Sequence, residues 1–134
     1  MIYLDASAII YWVEGKLPHF EKLTKVLKKN VRPAEQYHFV TSRISLIECM
    51  IYPLKVQDKD LLQAYYQFFS APDLLIRELS ADVADVATRL RVAYGLKTPD
   101  AIHAASALTA KDKSLFVTGD KSFKQVHGLQ LALV

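Results

Sequence analysis

The 134-residue chain fits one domain, spanning residues 1–134, and is long enough to bury a core. Hydrophobic residues make up 51% of it and charged residues 23%, as in an ordinary soluble protein, and no apolar run approaches the ~20 residues of a membrane span. The net charge of +3 permits a polyanionic partner without demanding one. The start, Met1-Ile2-Tyr3-Leu4-Asp5, has no basic segment and sets an acid within the first apolar stretch, unlike a signal peptide. Cys49 is the only cysteine, so no internal disulfide can form and a reducing cytoplasm is the expected compartment. Within Ile47-Glu48-Cys49-Met50-Ile51 it reads as a packing residue.

In chain order, Ile2-Tyr3-Leu4 reads as a short buried strand, and Ala6 to Glu14 as a helix ended by Gly15. Pro18 opens a second helix, with Phe20, Leu23, Val26 and Leu27 at helical spacing, and residues 30–36 read as a loop. Tyr37 to Thr41 has strand composition. Helices are predicted from about Ile44 and from Lys59 to Phe69, followed by a break at Ala71-Pro72-Asp73 and a strand at Leu74-Leu75-Ile76. Ser80 is the expected cap of a helix carrying Val83, Val86, Ala87 and Leu90, ended by Gly95. Another helix starts at Thr98-Pro99, with Pro as its first residue and Asp100 its second, and runs through Ala110. Strands follow at Leu115 to Val117 and Leu129 to Leu133. Strands alternating with helices imply a mainly parallel sheet with both faces covered, that is, a three-layer α/β/α sandwich. Such sheets bind ligands beyond the carboxyl ends of their strands.

Two acids fall there. Asp5 ends the first strand, and Asp120 follows the strand at Leu115–Val117. Asp5 also reads as a helix N-cap, and Asp120 as turn chemistry in Thr-Gly-Asp-Lys. Glu48 shares an i, i+3, i+4, i+7 stripe with Ile44, Ile47 and Ile51, where a carboxylate is costly unless paired or metal-bound; Leu46, Met50 and Leu54 define an alternative apolar face. Asp100 opens a helix, where it meets the positive end of the helix dipole. That helix leads directly into a parallel strand, so its start belongs beside Asp5. Four carboxylates suit Mg²⁺ or Mn²⁺, which prefer oxygen ligands and can activate water for phosphodiester hydrolysis. Crowded like charges are expected to raise at least one carboxylate pKa. Ser7 and Thr118 either orient metal-bound water or complete turns. His103, one turn beyond Asp100, reads as a packed or hydrogen-bonded residue and not as a ligand of such ions.

The cations cluster at Lys22, Lys25, Lys28, Lys29 and Arg32, and at Lys111, Lys113, Lys121 and Lys124. Each lysine alone reads as part of a solvated face; taken as clusters, with Lys22, Lys25, Lys28, Lys29, Lys121 and Lys124 as candidates, they could equally track the phosphates of a polyanion. Tyr11 and Trp12 could stack on bases, but the surrounding Ile9, Ile10 and Val13 favour an anchor in a core or partner groove.

Tyr3-Leu4-Asp5-Ala6-Ser7, Ser45-Leu46-Ile47-Glu48, Thr98-Pro99-Asp100-Ala101-Ile102-His103-Ala104-Ala105 and Val117-Thr118-Gly119-Asp120-Lys121-Ser122-Phe123 resemble the motifs of PIN-domain nucleases, most closely VapC-type toxins. The resemblance runs from the first strand nearly to the C-terminus, and Pro99-Asp100-Ala101 is its most specific piece. It implies a PIN-like sandwich and Mg²⁺- or Mn²⁺-dependent endoribonuclease activity, with a homodimer and a cognate antitoxin as partners. Asp5, Glu48, Asp100 and Asp120 match the family's acidic ring, and Ser7 and Thr118 its supporting hydroxyls. Gly119 stands where many members have Asn, a conservative departure. Lys121 and Ser122 stand where some members carry a further acid, which bears on occupancy of a second metal. An antitoxin needs an apolar groove, and Ile9, Ile10, Trp12, Val13, Phe20, Leu23, Val26 and Leu27 are more than one small core is expected to bury.

The alternatives are a non-catalytic PIN-like module binding RNA or protein, and phosphoryl transfer through an aspartyl nucleophile. Four intact acids speak against the first. Ser7, where an aspartyl phosphotransferase carries a second acid, speaks against the other. Neither G-x-G-x-x-G nor a P-loop is present.

Overall fold

The computed structural model describes residues 1–134. Five strands, β1 (Ile2–Leu4), β2 (Phe39–Ser42), β3 (Leu74–Arg77), β4 (Leu115–Thr118) and β5 (Gln130–Leu133), form one sheet in the order β3-β2-β1-β4-β5. Every pairing is parallel, with Tyr3 opposite Val40 on one side and Phe116 on the other. Six helices cover it: α1 (Ala6–Glu14), α2 (His19–Asn30), α3 (Ile44–Lys55), α4 (Lys59–Phe69), α5 (Ala81–Tyr94) and α6 (Thr98–Leu108), with a 3₁₀ turn at Lys121–Gln125. No helix is long and apolar enough to cross a membrane.

Side chains alternate across a strand, and the short strands divide the core accordingly. Tyr3 and Phe116 point to the face covered by α5 and α6, where they meet Val83, Leu90, Ala101, Ala104 and Phe123. Ile2, Leu4 and Val117 point to the other face, under α1 to α4, with Ile9, Leu23, Cys49 and Tyr65. Strands buried on both sides read as unbroken apolar runs, as Ile2-Tyr3-Leu4 does. The chain first winds from β1 outward to β2 and β3, then crosses to β4 on the opposite side of β1. The order therefore reverses between β1 and β4, and such a switch point opens a crevice at the strand carboxyl ends.

Local signals placed most boundaries. Ser80 accepts from the Val83 amide at 3.3 Å, and Gly15 and Gly95 end their helices in the left-handed conformation at φ 62° and 67°. Other boundaries moved. α2 begins at His19, after Pro18; β2 runs from Phe39 to Ser42 instead of Tyr37 to Thr41. The backbone of Lys97 is extended and that of Thr98 helical, so Asp100 is the third residue of α6, not the second. α6 stops at Leu108, where the Thr109 hydroxyl bonds back to the Ala105 carbonyl at 2.8 Å. The 3₁₀ turn after Asp120 was not foreseen; Asp120 caps it by accepting from the Ser122 amide at 2.8 Å.

One packing expectation fails. Neither proposed stripe of α3 is its buried face: Ile47 and Ile51 are 62% and 59% exposed and Leu54 is 57% exposed, while Ser45, Cys49 and Pro53 turn inward. Helix α3 meets α1 and α4 closely, and small side chains admit that approach. The core does not bury all the apolar residues of the early helices, as expected from their number. Ile9, Leu23 and Leu27 are buried, and Ile10, Trp12, Val13, Phe20 and Val26 are partly covered because four helices share that face. Trp12 lies edge-on to Phe39 and Phe68, which makes it a core anchor instead of a base-stacking platform. The exposed large apolar residues gather on α3 (Ile47, Ile51, Tyr52 and Leu54), with Val56 beyond its end, Tyr66 on α4, and Leu17, Leu79 and Val92 elsewhere.

Candidate active site at the strand carboxyl ends

Asp5 leaves β1 directly into α1 and is 4% exposed. Its Oδ1 accepts from the Ala8 amide at 2.9 Å and from the Ser7 hydroxyl at 2.6 Å, and its Oδ2 accepts from the Thr118 hydroxyl. The two hydroxyls then turn toward the β4 loop. Ser7 Oγ accepts from the Gly119 amide and Thr118 Oγ1 from the Asp120 amide, both at 3.0 Å. Ser7 and Thr118 thus tie the loop bearing Asp120 to the carboxylate of Asp5 across the switch point. Of the two roles open to them from sequence, the protein's own contacts show the turn-completing one. Burial raises the Asp5 pKa despite the three hydrogen bonds that favour its ionised form.

Asp100 rises from the first turn of α6 and is half-buried. Its pKa is raised first by burial and then by the charge of Asp120, with Glu48 and Asp5 adding to the effect and His103 opposing it. The raised carboxylate expected from crowding is present, with desolvation the larger cause. Asp100 therefore lies within the electrostatic reach of all three other acids. Asp120 is exposed at the mouth.

Glu48 arrives on α3, whose first turn is fastened by Thr41 of β2. The Thr41 hydroxyl donates to the Leu4 carbonyl at 2.6 Å and lies 2.7 Å from Ser45 Oγ. The Glu48 side chain is about a third exposed (31%) and is bound at Oε1 by His103 Nε2 at 2.8 Å. The imidazole is almost wholly buried, and its Nδ1 lies 2.9 Å from the Tyr3 hydroxyl. His103 is the packed, hydrogen-bonded residue expected from sequence. Its link from Tyr3 to Glu48 escaped sequence reasoning, because nothing in the spacing of residues 3, 48 and 103 announces contact. Cys49 is buried, and burial and neighbouring carboxylates raise its pKa, which leaves an inert thiol.

Tyr11 is the other residue that sequence reasoning undervalued. Its ring stacks on His19 at 4.2 Å and lies over Gly119, where an added Cβ would stand 2.7 Å from Tyr11 Cε2 and 2.9 Å from Cζ. Gly119 is therefore not a neutral departure; its missing side chain is the space the phenol uses. Burial, then Asp5 and Asp120, raise the Tyr11 pKa, which places its ring beside the acids.

None of the four carboxylates forms an ion pair with Lys or Arg; Glu48 alone has a partner, His103. With these side-chain positions, no three Asp, Glu, His or Cys residues stand in ligating geometry. The donor chemistry nonetheless fits a hard divalent cation, since the groups are oxygens, anionic, and uncompensated by the protein. Two depressions of about 630 and 590 Å³ lie elsewhere, one at the amino ends of the strands and one between α5 and α6. Lys121 and Lys124 are exposed just beyond Asp120. Helix α2 starts near the acids, where His19 Nδ1 lies 3.1 Å from the Val134 carbonyl, and ends at Asn30 beside the amino-end depression. Lys22 and Lys25 are thus nearer the acids along the helix than Lys28 and Lys29.

A family model for the PIN domain matches residues 2–129. The chain belongs to the PIN domain family. Solved structures similar to this PIN domain include a toxin–antitoxin complex from Klebsiella pneumoniae, at 23% identity over 96% of this chain and 95% of that one, with a TM-score of 0.70. VapBC2 from Rickettsia felis bound to a promoter DNA fragment matches at 22% identity over 99% and 98% of the two chains, with a TM-score of 0.72. DNA-bound VapBC from Salmonella typhimurium matches at 18% identity over 98% of each chain, with a TM-score of 0.75. At these identities the likeness is one of fold. No curated protein sequence matches the chain. The five-stranded parallel sheet between two helical layers is the PIN-like α/β/α sandwich.

Proposed function

We propose that this PIN domain is a VapC-type toxin, an endoribonuclease that hydrolyses RNA phosphodiester bonds with Mg²⁺ or Mn²⁺ held by Asp5, Glu48, Asp100 and Asp120. One observation carries the proposal. Four carboxylates from four separate elements gather at the switch point of a PIN scaffold, without a lysine or arginine to neutralise them. Burying negative charge is costly unless a cation offsets it.

The cation would supply Lewis acidity toward the scissile phosphate and its leaving oxygen. The chain's own residues prepare the site. Ser7 and Thr118 hold Asp5 and the Asp120 loop at fixed separation. Asp5 lies on a buried floor, Asp100 is half-buried beside it, and Asp120 stands at the mouth. Lys121, Lys124, Lys22 and Lys25 attract the phosphate backbone from the rim.

The same proposal includes a cognate antitoxin, a homodimer and a cytoplasmic setting. The partner proteins named for the similar structures support the antitoxin. The exposed apolar strip on α3 supports a protein partner, antitoxin or second copy, since contiguous apolar surface marks interaction sites. The test is incubation of the purified protein with defined RNAs in Mg²⁺ or Mn²⁺, beside Asp100→Asn. Cleavage by the wild type alone is expected; equal cleavage by the variant would assign the activity to a contaminant.

A further inference from the structure

Glu48 is the carboxylate with most freedom to leave the cluster. It has three side-chain torsions, it is a third exposed, and its neighbours Ile47 and Ile51 face solvent. The Asp100 carboxylate lies within reach of its charge. The contact opposing that drift is His103, 1% exposed and fixed at both ring nitrogens. An ionised carboxylate only accepts hydrogen bonds, so Nε2 carries the proton toward Glu48 Oε1. The other ring nitrogen, Nδ1, lies 2.9 Å from the Tyr3 hydroxyl, so the ring is held from both ends. Tyr3 lies in β1 two residues before Asp5, and His103 lies in α6 three residues after Asp100. The chain Tyr3–His103–Glu48 therefore ties together the elements that carry three of the four acids.

We propose that His103, held at its far nitrogen by Tyr3, is a positioning residue that holds the Glu48 carboxylate in the acidic cluster for a divalent cation. This rests on the acids being a cation site. His103 binds no metal in this role: both nitrogens are spent, and Glu48 Oε2 takes no hydrogen bond from the protein. Partners that orient ligating side chains from behind raise metal affinity by fixing geometry before the ion arrives.

Two measurements test it. In metal-free protein labelled with ¹⁵N-histidine, the His103 ring is expected with Nε2 protonated and hydrogen-bonded. A bare Nε2 would overturn the proposal. Mn²⁺ binding, followed by the paramagnetic resonance of the free ion, is expected to weaken about 10- to 100-fold in His103→Leu. His103→Gln, whose amide reaches Glu48 much as Nε2 does, is expected within about threefold of wild type. A merely structural histidine would not be rescued in this way. If the orphaned Tyr3 hydroxyl unfolds His103→Leu, the double variant Tyr3→Phe, His103→Leu removes it and carries the same expectation. Wild-type affinity in a folded leucine variant would overturn the positioning role. Absence of Mn²⁺ binding by the wild type would instead overturn the cation site itself.

Discussion

Asp5 is at once a helix cap and a member of the cluster, and the two roles can be separated. Asparagine caps a helix about as well as aspartate, whereas alanine does not. Asp5→Asn should keep the fold and lose Mn²⁺ binding and RNA cleavage. Asp5→Ala should lose both functions and cost about 1 kcal/mol of stability besides, read from denaturant unfolding. Equal stability of the two variants would contradict the capping role. Asp100 makes a prediction with a sign. A carboxyl whose folded pKa is raised binds more protons folded than unfolded between its two pKa values, so stability falls as pH rises through that interval. In excess chelator at neutral pH, Asp100→Asn should therefore melt above the wild type. Its advantage should shrink as pH falls into the carboxylate range and Asp100 itself becomes neutral. A lower melting temperature for the variant at neutral pH would show that Asp100 is not charge-crowded. At this scale the acids were legible because strand ends and helix starts are legible. The stripe that singles out Glu48 predicts Ile47 and Ile51 buried, yet both are exposed, and the inward face of α3 is the small set Ser45, Cys49 and Pro53.

The elements were legible where punctuation was strong, as at Ser80, Gly15 and Gly95. They were less so where tertiary contacts decide, as in the 3₁₀ turn that Asp120 caps. The approach of α1 to the β4 loop lies wholly beyond sequence periodicity. It needs Gly119 to lack a side chain so that Tyr11 can lie over it. Gly119→Ala should therefore destabilise the fold by roughly 1–3 kcal/mol, as overpacking does. The ring is pinned by its stack on His19, so it cannot simply swing aside. In a double-mutant cycle with Tyr11→Ala, the penalty should largely vanish, with a coupling above roughly 0.5 kcal/mol. Additive effects would mean that the phenol does not depend on the glycine.

For the whole molecule, alternating strands and helices implied a parallel sheet and hence acids on one rim. The order β3-β2-β1-β4-β5 adds the reason: the reversal beside β1 brings Asp5 and Asp120 together. The partner surface is legible only in part: the apolar count in α1 and α2 anticipates that some of those residues stay partly exposed, but nothing in it announces the strip on α3. The exposed strip on α3 predicts that Ile51→Asp leaves melting temperature and Mn²⁺ binding near wild type. The same variant should abolish co-purification with the product of an adjacent antitoxin gene. Retained co-purification would place the antitoxin elsewhere. The central claim is that the four acids act through a divalent cation, and chelation tests it most directly. RNA cleavage by the wild-type protein should stop in excess EDTA and return on addition of Mg²⁺ or Mn²⁺ beyond the chelator. Undiminished cleavage in excess EDTA, by protein stripped of metal beforehand, would contradict it.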